Sequence, residues 1–402
     1  MRRANAATDP IQAKAAWEKK CKTTAKLQQY TYGCKLLTPL FAGGVQTGQV
    51  DPFMPIRVPG IRGQLRFWWR IACADPHAPS AETFCRERDL WGGIGNSEPS
   101  ASQIRIRVLA KPVNPSELIS ADATLGGVEK YAYGPGIIDG ATALRAGYGF
   151  QLELSCPDAI ADDVQTALRW WASFGGIGAR TRRGLGAVQV EGIEPIDEQA
   201  VARRGGLLKC RREPFDAPQD AWTCAVTMLH QFRQGRGTGR NAQSTNDPKR
   251  PGRSFWPEPD QLRRFTGKND LRNHLPVHPV TDVFPRAAFG MPILFDFRKK
   301  TKPDTLELVP DVLDGENKPA KRMASPLILR PYSDGEGWRS AALLLPAWRD
   351  ALTTPLRFSQ GLYNPLPWPS DQATQQHLAS QIDPMAGLGD DPLTAFMAFF
   401  TK

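Results

Sequence analysis

Between Gln29 and Ile193 the apolar residues repeat first every second residue, then at helical spacing, in an order that few folds accommodate. QYTYGCKLLTPLF alternates at Tyr30, Tyr32, Cys34 and Leu36 and stops at Pro39, which predicts a strand. Gly43, Gly44, Gly48, Pro52, Pro55 and Pro59 mark an irregular loop, and PGIRGQLRFWWRIA is helical from Ile61 onward. QIRIRVLA at 103–110 and YGFQLELSC at 148–156 alternate again as strands. DAIADDVQTALRWWASF at 158–174 combines an aspartate-rich start with an apolar stripe, and LGAVQVEGI at 185–193 ends the unit as a strand. Strand, helix, strand, strand, helix, strand is the split βαβ plan of the ferredoxin-like fold, with residues 131–147 as an inserted loop.

Residues 1–28 read as an N-terminal arm or helix, residues 29–195 as the first domain and residues 196–220, rich in charge, Gly and Pro, as a linker. The second domain spans 221–402. AWTCAVTMLH (221–230), MPILFDFR (291–298), SPLILRP (325–331) and SAALLLP (340–346) are strand candidates, with helical patches near 259–266 and 388–401. A second copy of the same plan is an open guess on pattern alone. The fold class expected is α+β, with glycine-rich loops and insertions.

At 402 residues core volume is no constraint. No run of about 18 apolar residues predicts a membrane span, and the start lacks the apolar stretch of a secretory signal, so a soluble cytoplasmic protein is expected. The seven cysteines are scattered with no Cys-x-x-Cys spacing, and the five histidines form no helical ligand pair. No cofactor or metal is therefore expected. The 51 Lys and Arg against 41 Asp and Glu leave a formal charge of +10, which favours a polyanionic partner.

Three basic constellations carry that charge. On a helical wheel Ile61, Leu65, Trp68, Trp69 and Ala72 share one side, and Arg62, Arg66 and Arg70 form an adjoining acid-free row, preceded by Arg57. The tryptophans read as core; the arginines fit either an RNA or an acidic partner. FGGIGARTRRGLG at 174–186 holds five glycines with Arg180, Arg182 and Arg183, so Gly176, Gly178 and Gly184 could shape an anion-binding nest. It follows a helix and precedes a strand, the reverse of a dinucleotide fingerprint. FRQGRGTGRNAQSTNDPKRPGRSFWPEPDQLRR at 232–264 is the third, with Arg236, Arg240, Arg250 and Arg253 among its basic residues. GGIG also occurs at 92–95 without basic neighbours and reads as a turn, and RAGYGFQLEL departs from the RNA-recognition-motif strand it loosely suggests.

Catalytic signals are weak. No nucleophile elbow occurs, and metal-independent RNA cleavage would need a base such as His77, His274 or His278, or Asp51 distorting the backbone for in-line attack. No catalytic residue is assigned.

TPLFAGG (Thr38–Gly44), IRGQLRFWWR (Ile61–Arg70) and GGIGARTRRGLG in the first half resemble the RAMP superfamily of CRISPR RNA-binding proteins. So do GRSFWPEPDQLR (Gly252–Arg263), FPRAAFGMPI (Phe284–Ile293) and RMASPLILRP (Arg322–Pro331) in the second. Within that superfamily the chain resembles the first-numbered subunits of Cmr, the type III-B effector complexes. The resemblance implies two tandem ferredoxin-like domains and a non-catalytic subunit at the head of the complex, near the 3′ end of the CRISPR RNA. Its partners would be the CRISPR RNA, target single-stranded RNA and other Cmr RAMP subunits, in antiviral defence and without a membrane. Basic-cleft residues carry over onto Arg62, Arg66, Arg70 and the glycine-rich loop. The alternatives are a RAMP-type endoribonuclease that processes CRISPR RNA, or a purely structural assembly subunit.

Overall fold

The computed structural model describes residues 27–94, 99–120, 127–133, 140–241, 252–267, 275–296, 305–361 and 363–402. The expected N-terminal arm lies outside them except for residues 27 and 28, which begin the first strand.

β1 (Leu27–Leu36), β2 (Arg105–Ala110), β5 (Gly149–Pro157) and β6 (Val188–Val190) form an antiparallel sheet in the order β2-β5-β1-β6. That is the ferredoxin-like order, with the first and third strands of the plan central. Register runs from Leu27 opposite Pro157 to Lys35 opposite Gly149, and Val108 lies opposite Leu152 on the other side of β5. The alternation read from β5 is real: Phe150, Leu152, Leu154 and Cys156 are buried while Gln151 is exposed. Helices α1 (Val58–Ala72) and α4 (Ala161–Phe174) cover that face. Trp68 and Trp69 are 1% and 0% exposed, so the wheel placed them correctly in the core. Trp68 stacks on Trp170 at 6.2 Å and meets Phe174 at 6.0 Å. A fully buried side chain of the Leu or Phe class contributes about 1.5–3 kcal/mol, so this aromatic seam fixes how α1 lies on the sheet.

Several expectations need correction. Helix α2 (Ser80–Trp91) follows α1 and was not foreseen. The insertion at 131–147 is not a plain loop: it holds the end of α3 (Gly127–Tyr133) and strand β4 (Thr142–Leu144), which pairs with β3 (Leu118–Ser120). The expected linker contains helix α5 (Glu198–Arg203) and strand β7 (Leu207–Cys210). AWTCAVTMLH lies inside helix α6 (Pro218–Gln234), whose buried Ala221, Trp222, Ala225, Val226, Leu229 and Phe232 recur at helical spacing.

In the second half β10 (Leu327–Ser333) and β11 (Trp338–Leu344) join β7 in the order β10-β11-β7, again antiparallel. This repeats the ferredoxin-like order for its first three strands. Helices α6 and α10 (Pro392–Phe400) pack beside it, joined by Phe232 and Phe396 at 5.5 Å. α7 (Glu258–Thr266) precedes a small separate sheet, β8 (Ile293–Phe295), β9 (Leu306–Pro310) and β12 (Leu356–Phe358), which has its own core around Phe284, Leu308 and Phe358. Short helices α8 (Asp350–Thr353) and α9 (Gln372–Ser380) complete the described α-helices.

The sheet β10-β11-β7 is buried on both faces. Ile328, Tyr332, Ala341 and Leu343 join the core of the first domain, whereas Leu327, Leu329, Ala342 and Leu344 join the core of the second. This explains why β10 is buried without a break from Leu327 to Tyr332, as expected for strands covered on both sides. The two domains share a sheet instead of being joined by a tether.

Candidate nucleic-acid interface

The arginine row of α1 is not acid-free in three dimensions. Glu87 of α2, almost fully buried, accepts from Arg66 Nε and Arg70 Nη1, each at 2.6 Å. Arg62 donates to Ser102 Oγ at 2.6 Å and lies near the Ile104 and Trp91 carbonyls. Burial, with the nearby Arg66 charge, lowers the Arg62 guanidinium from its ordinary value. Arg57 reaches Asp51 at 3.7 Å. Asp51 Oδ1 in turn accepts from the Phe53 and Met54 N–H groups, a turn-making use with no RNA-distorting geometry in it. The row is thus a cross-link between two helices, with Arg70 its most exposed member.

The glycine-rich loop is largely a domain seam. Its N–H groups at Ile177, Ala179, Gly184 and Gly186 donate to the carbonyls of Gly186, Phe41, Thr181 and Pro39, which leaves little of the expected nest. Gly176 needs no left-handed backbone, but a Cβ there would lie 2.8 Å from the Gly186 carbonyl oxygen. Gly178 and Gly184 do have positive φ, 81° and 80°. Trp222 Nε1 donates to the Arg183 carbonyl at 2.8 Å, and Arg182 donates to the Ser325 carbonyl while its guanidinium sits 5.7 Å from the Phe67 ring centre. From the other side, the buried Arg330 of β10 donates to the Gly175 carbonyl at 2.8 Å and the Val188 carbonyl at 3.2 Å. Burial pulls Arg330 down to about 9. Only the tip, Gly178 to Arg180, is exposed; Arg180 holds a left-handed φ of 61°.

The third region divides. Arg250 lies outside the described residues. Arg253 is committed to Asp260, at 2.9 and 2.7 Å, and Arg263 joins the same carboxylate at 2.8 Å. Burial alone would raise Asp260, but the hydrogen bonds from Arg253 and from the His278 and Val277 N–H groups outweigh it and hold the carboxyl below its ordinary value. Its stabilisation is complete above the unfolded value of about 3.9 and lost as pH falls through the lower folded one. Asp260→Asn is expected to cost roughly 3 kcal/mol near pH 7, as for a broken buried pair. In urea titrations the gap from wild type should narrow as pH falls below the unfolded value of about 3.9; a constant gap would rule out the ionised carboxylate as its source.

Arg236 is exposed and Arg240 half-buried, and among the described residues neither has a carboxylate partner. Nε of Arg233, Nε of Arg240 and Nη1 of Arg183 are buried and find no acceptor among the described residues. Burial brings Arg183 down to about 10, with Tyr131, Arg233 and Arg180 as the charges and dipoles nearest it. Tyr131 meets the His230 ring edge-on at 4.8 Å, and Arg233 lies 3.5 Å from the Tyr131 hydroxyl. His230, Gln231, Gln234, Gly235, Arg236, Arg240 and Gly252 line a cleft of about 390 Å³. Arg183 thus has Arg180 and Arg233 as charged neighbours, and Arg236 and Arg240 line the cleft beside His230; these five arginines form the basic rim. Sequence reasoning missed Tyr131, His230 and Glu87 as members of these clusters. Arg330 was legible as an arginine inside an otherwise apolar strand. Among the described residues no group of three or more His, Cys, Asp or Glu is placed to hold a metal ion, and no helix is long and apolar enough to cross a membrane.

Residues 34–189 match the family model described as the RAMP superfamily. Among solved structures, apo Cmr1 from Pyrococcus furiosus aligns with TM-score 0.41 at 13% identity over 84% of this chain and 100% of that one. A chain of the type III-B Cmr-beta complex bound to cognate target RNA aligns with TM-score 0.42 at 11% identity, over 90% and 99% of the two chains. No curated protein matches the sequence.

Proposed function

We propose that this chain, whose first domain is of the RAMP superfamily, is an RNA-binding subunit of a CRISPR effector complex of the type III-B, Cmr kind. It works without an active site of its own, at the head of the complex near the 3′ end of the CRISPR RNA, against guide and target RNA. The observation that carries the RNA-binding reading is the rim of arginines whose buried N–H groups at Arg183, Arg233 and Arg240 find no acceptor among the described residues. An unsatisfied buried donor costs about 1–3 kcal/mol, more when charged, and phosphate oxygens supply the missing acceptors. The placement at the head rests on the resemblance of IRGQLRFWWR and the paired second-half motifs.

The alternatives have less support. His77 is exposed, with its own N–H bound to Asp75, and the His278 ring is held between the Val280 N–H and the Phe255 carbonyl. Neither sits among the basic-rim arginines, and His274 lies outside the described residues. The arginines of α1 do serve a structural cross-link, but a purely structural role for the whole chain would leave the separate basic rim without a purpose.

The test is binding of labelled single-stranded RNA across a salt series. Arg180→Ala with Arg236→Ala should flatten the logarithmic salt slope by about 0.7 for each phosphate left without its arginine. Arg66→Ala should lower stability and leave the slope nearly unchanged. RNA should stay intact in EDTA; specific cleavage products would overturn the non-catalytic reading, and a slope indifferent to both exposed arginines would overturn the basic-rim reading.

A further inference from the structure

We infer that the cleft at the C-terminal end of α6 is a single-nucleotide subsite, which takes one splayed-out nucleotide of single-stranded RNA with its phosphate on Arg240 and Arg236 and its base against His230. This rests on the RNA-binding reading and adds to it a place where a base leaves the stack.

The cleft is built from three pieces. His230, Gln231 and Gln234 come from the last turns of α6. Residues 235–240 form a tight turn closed by Gly237 N–H to the Arg240 carbonyl at 2.7 Å and by Gly239 and Arg240 N–H to the Gly235 carbonyl at 2.9 and 3.0 Å. The third wall, at Gly252, is tied to that turn by the bridge between Arg240 and Ser254. Its volume, about 390 Å³, falls within the range of sites that enclose a small ligand.

Charge argues for an anion there. The two buried acids of the neighbouring helix α7 are both committed elsewhere: Glu258 to Arg286 at 3.0 Å, and Asp260 to Arg253 and Arg263. Among the described residues no carboxylate is left for Arg240, whose Nε is buried without an acceptor. The C-terminal dipole of α6 opposes an anion with only about half a charge, which Arg236 and Arg240 together exceed. Burial, and then the Arg240 charge, lower the His230 pKa, so the imidazole favours its neutral form and presents a ring face with no added cation. Tyr131 braces that ring edge-on, and the Gln231 and Gln234 amides each offer a donor and an acceptor to a base edge. Splayed bases stacked on aromatic rings are the usual mode of reading single-stranded RNA.

The experiment uses the full chain and an oligouridine carrying 4-thiouridine. Irradiated wild-type complexes should crosslink within residues 230–236, and His230→Ala should weaken RNA binding about tenfold, as removal of one base stack does. The salt slope of His230→Ala should match wild type, since the arginines that meet phosphate stay in place; Arg236→Ala should lower it. Steep salt-dependent binding with crosslinks confined to other segments, and His230→Ala indifferent, would overturn the subsite while leaving the RNA-binding reading intact. Absence of salt-dependent binding by wild type would overturn both. The wild-type crosslink map decides even if a variant folds poorly.

Discussion

Arg330→Ala is expected to cost about 3–5 kcal/mol, because it opens a cavity and at once orphans the Gly175 and Val188 carbonyls of the first domain. Arg330 is 3% exposed and, among the described residues, has no carboxylate partner; its donors go to the carbonyls of Gly175, Val188 and Pro331. Val188 belongs to β6, the edge strand of the first sheet, and the neighbouring Ala187 carbonyl already serves Leu37. Alternation therefore turns the Val188 carbonyl away from β1, and Arg330 is what meets it. Arg330→Met fills most of the space but still leaves both carbonyls bare, so it should cost less than Ala and more than nothing. Urea unfolding of the three proteins measures the order. A wild-type midpoint for Arg330→Ala would mean that the seam does not depend on this cation.

Gly184→Ala is expected to be about as damaging, at roughly 3 kcal/mol or more, by combining backbone strain with overpacking. Its φ is 80°, and a Cβ would stand 2.5 Å from Trp222 Cδ1 and 2.6 Å from the Leu329 carbonyl oxygen. Neither neighbour can retreat easily, since Trp222 and Leu329 are 1% and 0% exposed. Gly237→Ala separates the two contributions: φ there is 76°, but a Cβ would meet nothing. That variant should lose only about 1 kcal/mol from the left-handed backbone. Thermal unfolding that ranks the two variants equally would show that strain, not the contact between domains, sets the cost.

Much of the first domain was legible because strand and helix write their own periods into the chain. Tyr30 to Leu36, Phe150 to Cys156 and the stripe from Ile61 to Trp69 needed no knowledge of distant residues. AWTCAVTMLH misled because ten residues are too short a window: the helical spacing of Ala221, Trp222, Ala225, Val226 and Leu229 becomes decisive only when the run is extended to Phe232. The stretch from Glu194 to Asp220 looked like a tether because charge, Gly and Pro dominate it, yet four residues, Leu207–Cys210, suffice to complete a sheet.

By itself the sequence determined the element order of the first domain, the core face of α1 and the excess of arginine. Those depend on local backbone geometry and composition. Tertiary structure alone decided which arginines keep their charge available. Glu87 lies 21 residues from Arg66 and Gly175 lies 155 from Arg330, distances that no local period encodes. Folding brought acids or carbonyls to Arg62, Arg66, Arg182, Arg253 and Arg330, and left Arg180, Arg183, Arg233, Arg236 and Arg240 along one rim. A charge is spent or spared by what lands beside it, and the chain path, not the spacing of residues, sets that neighbour.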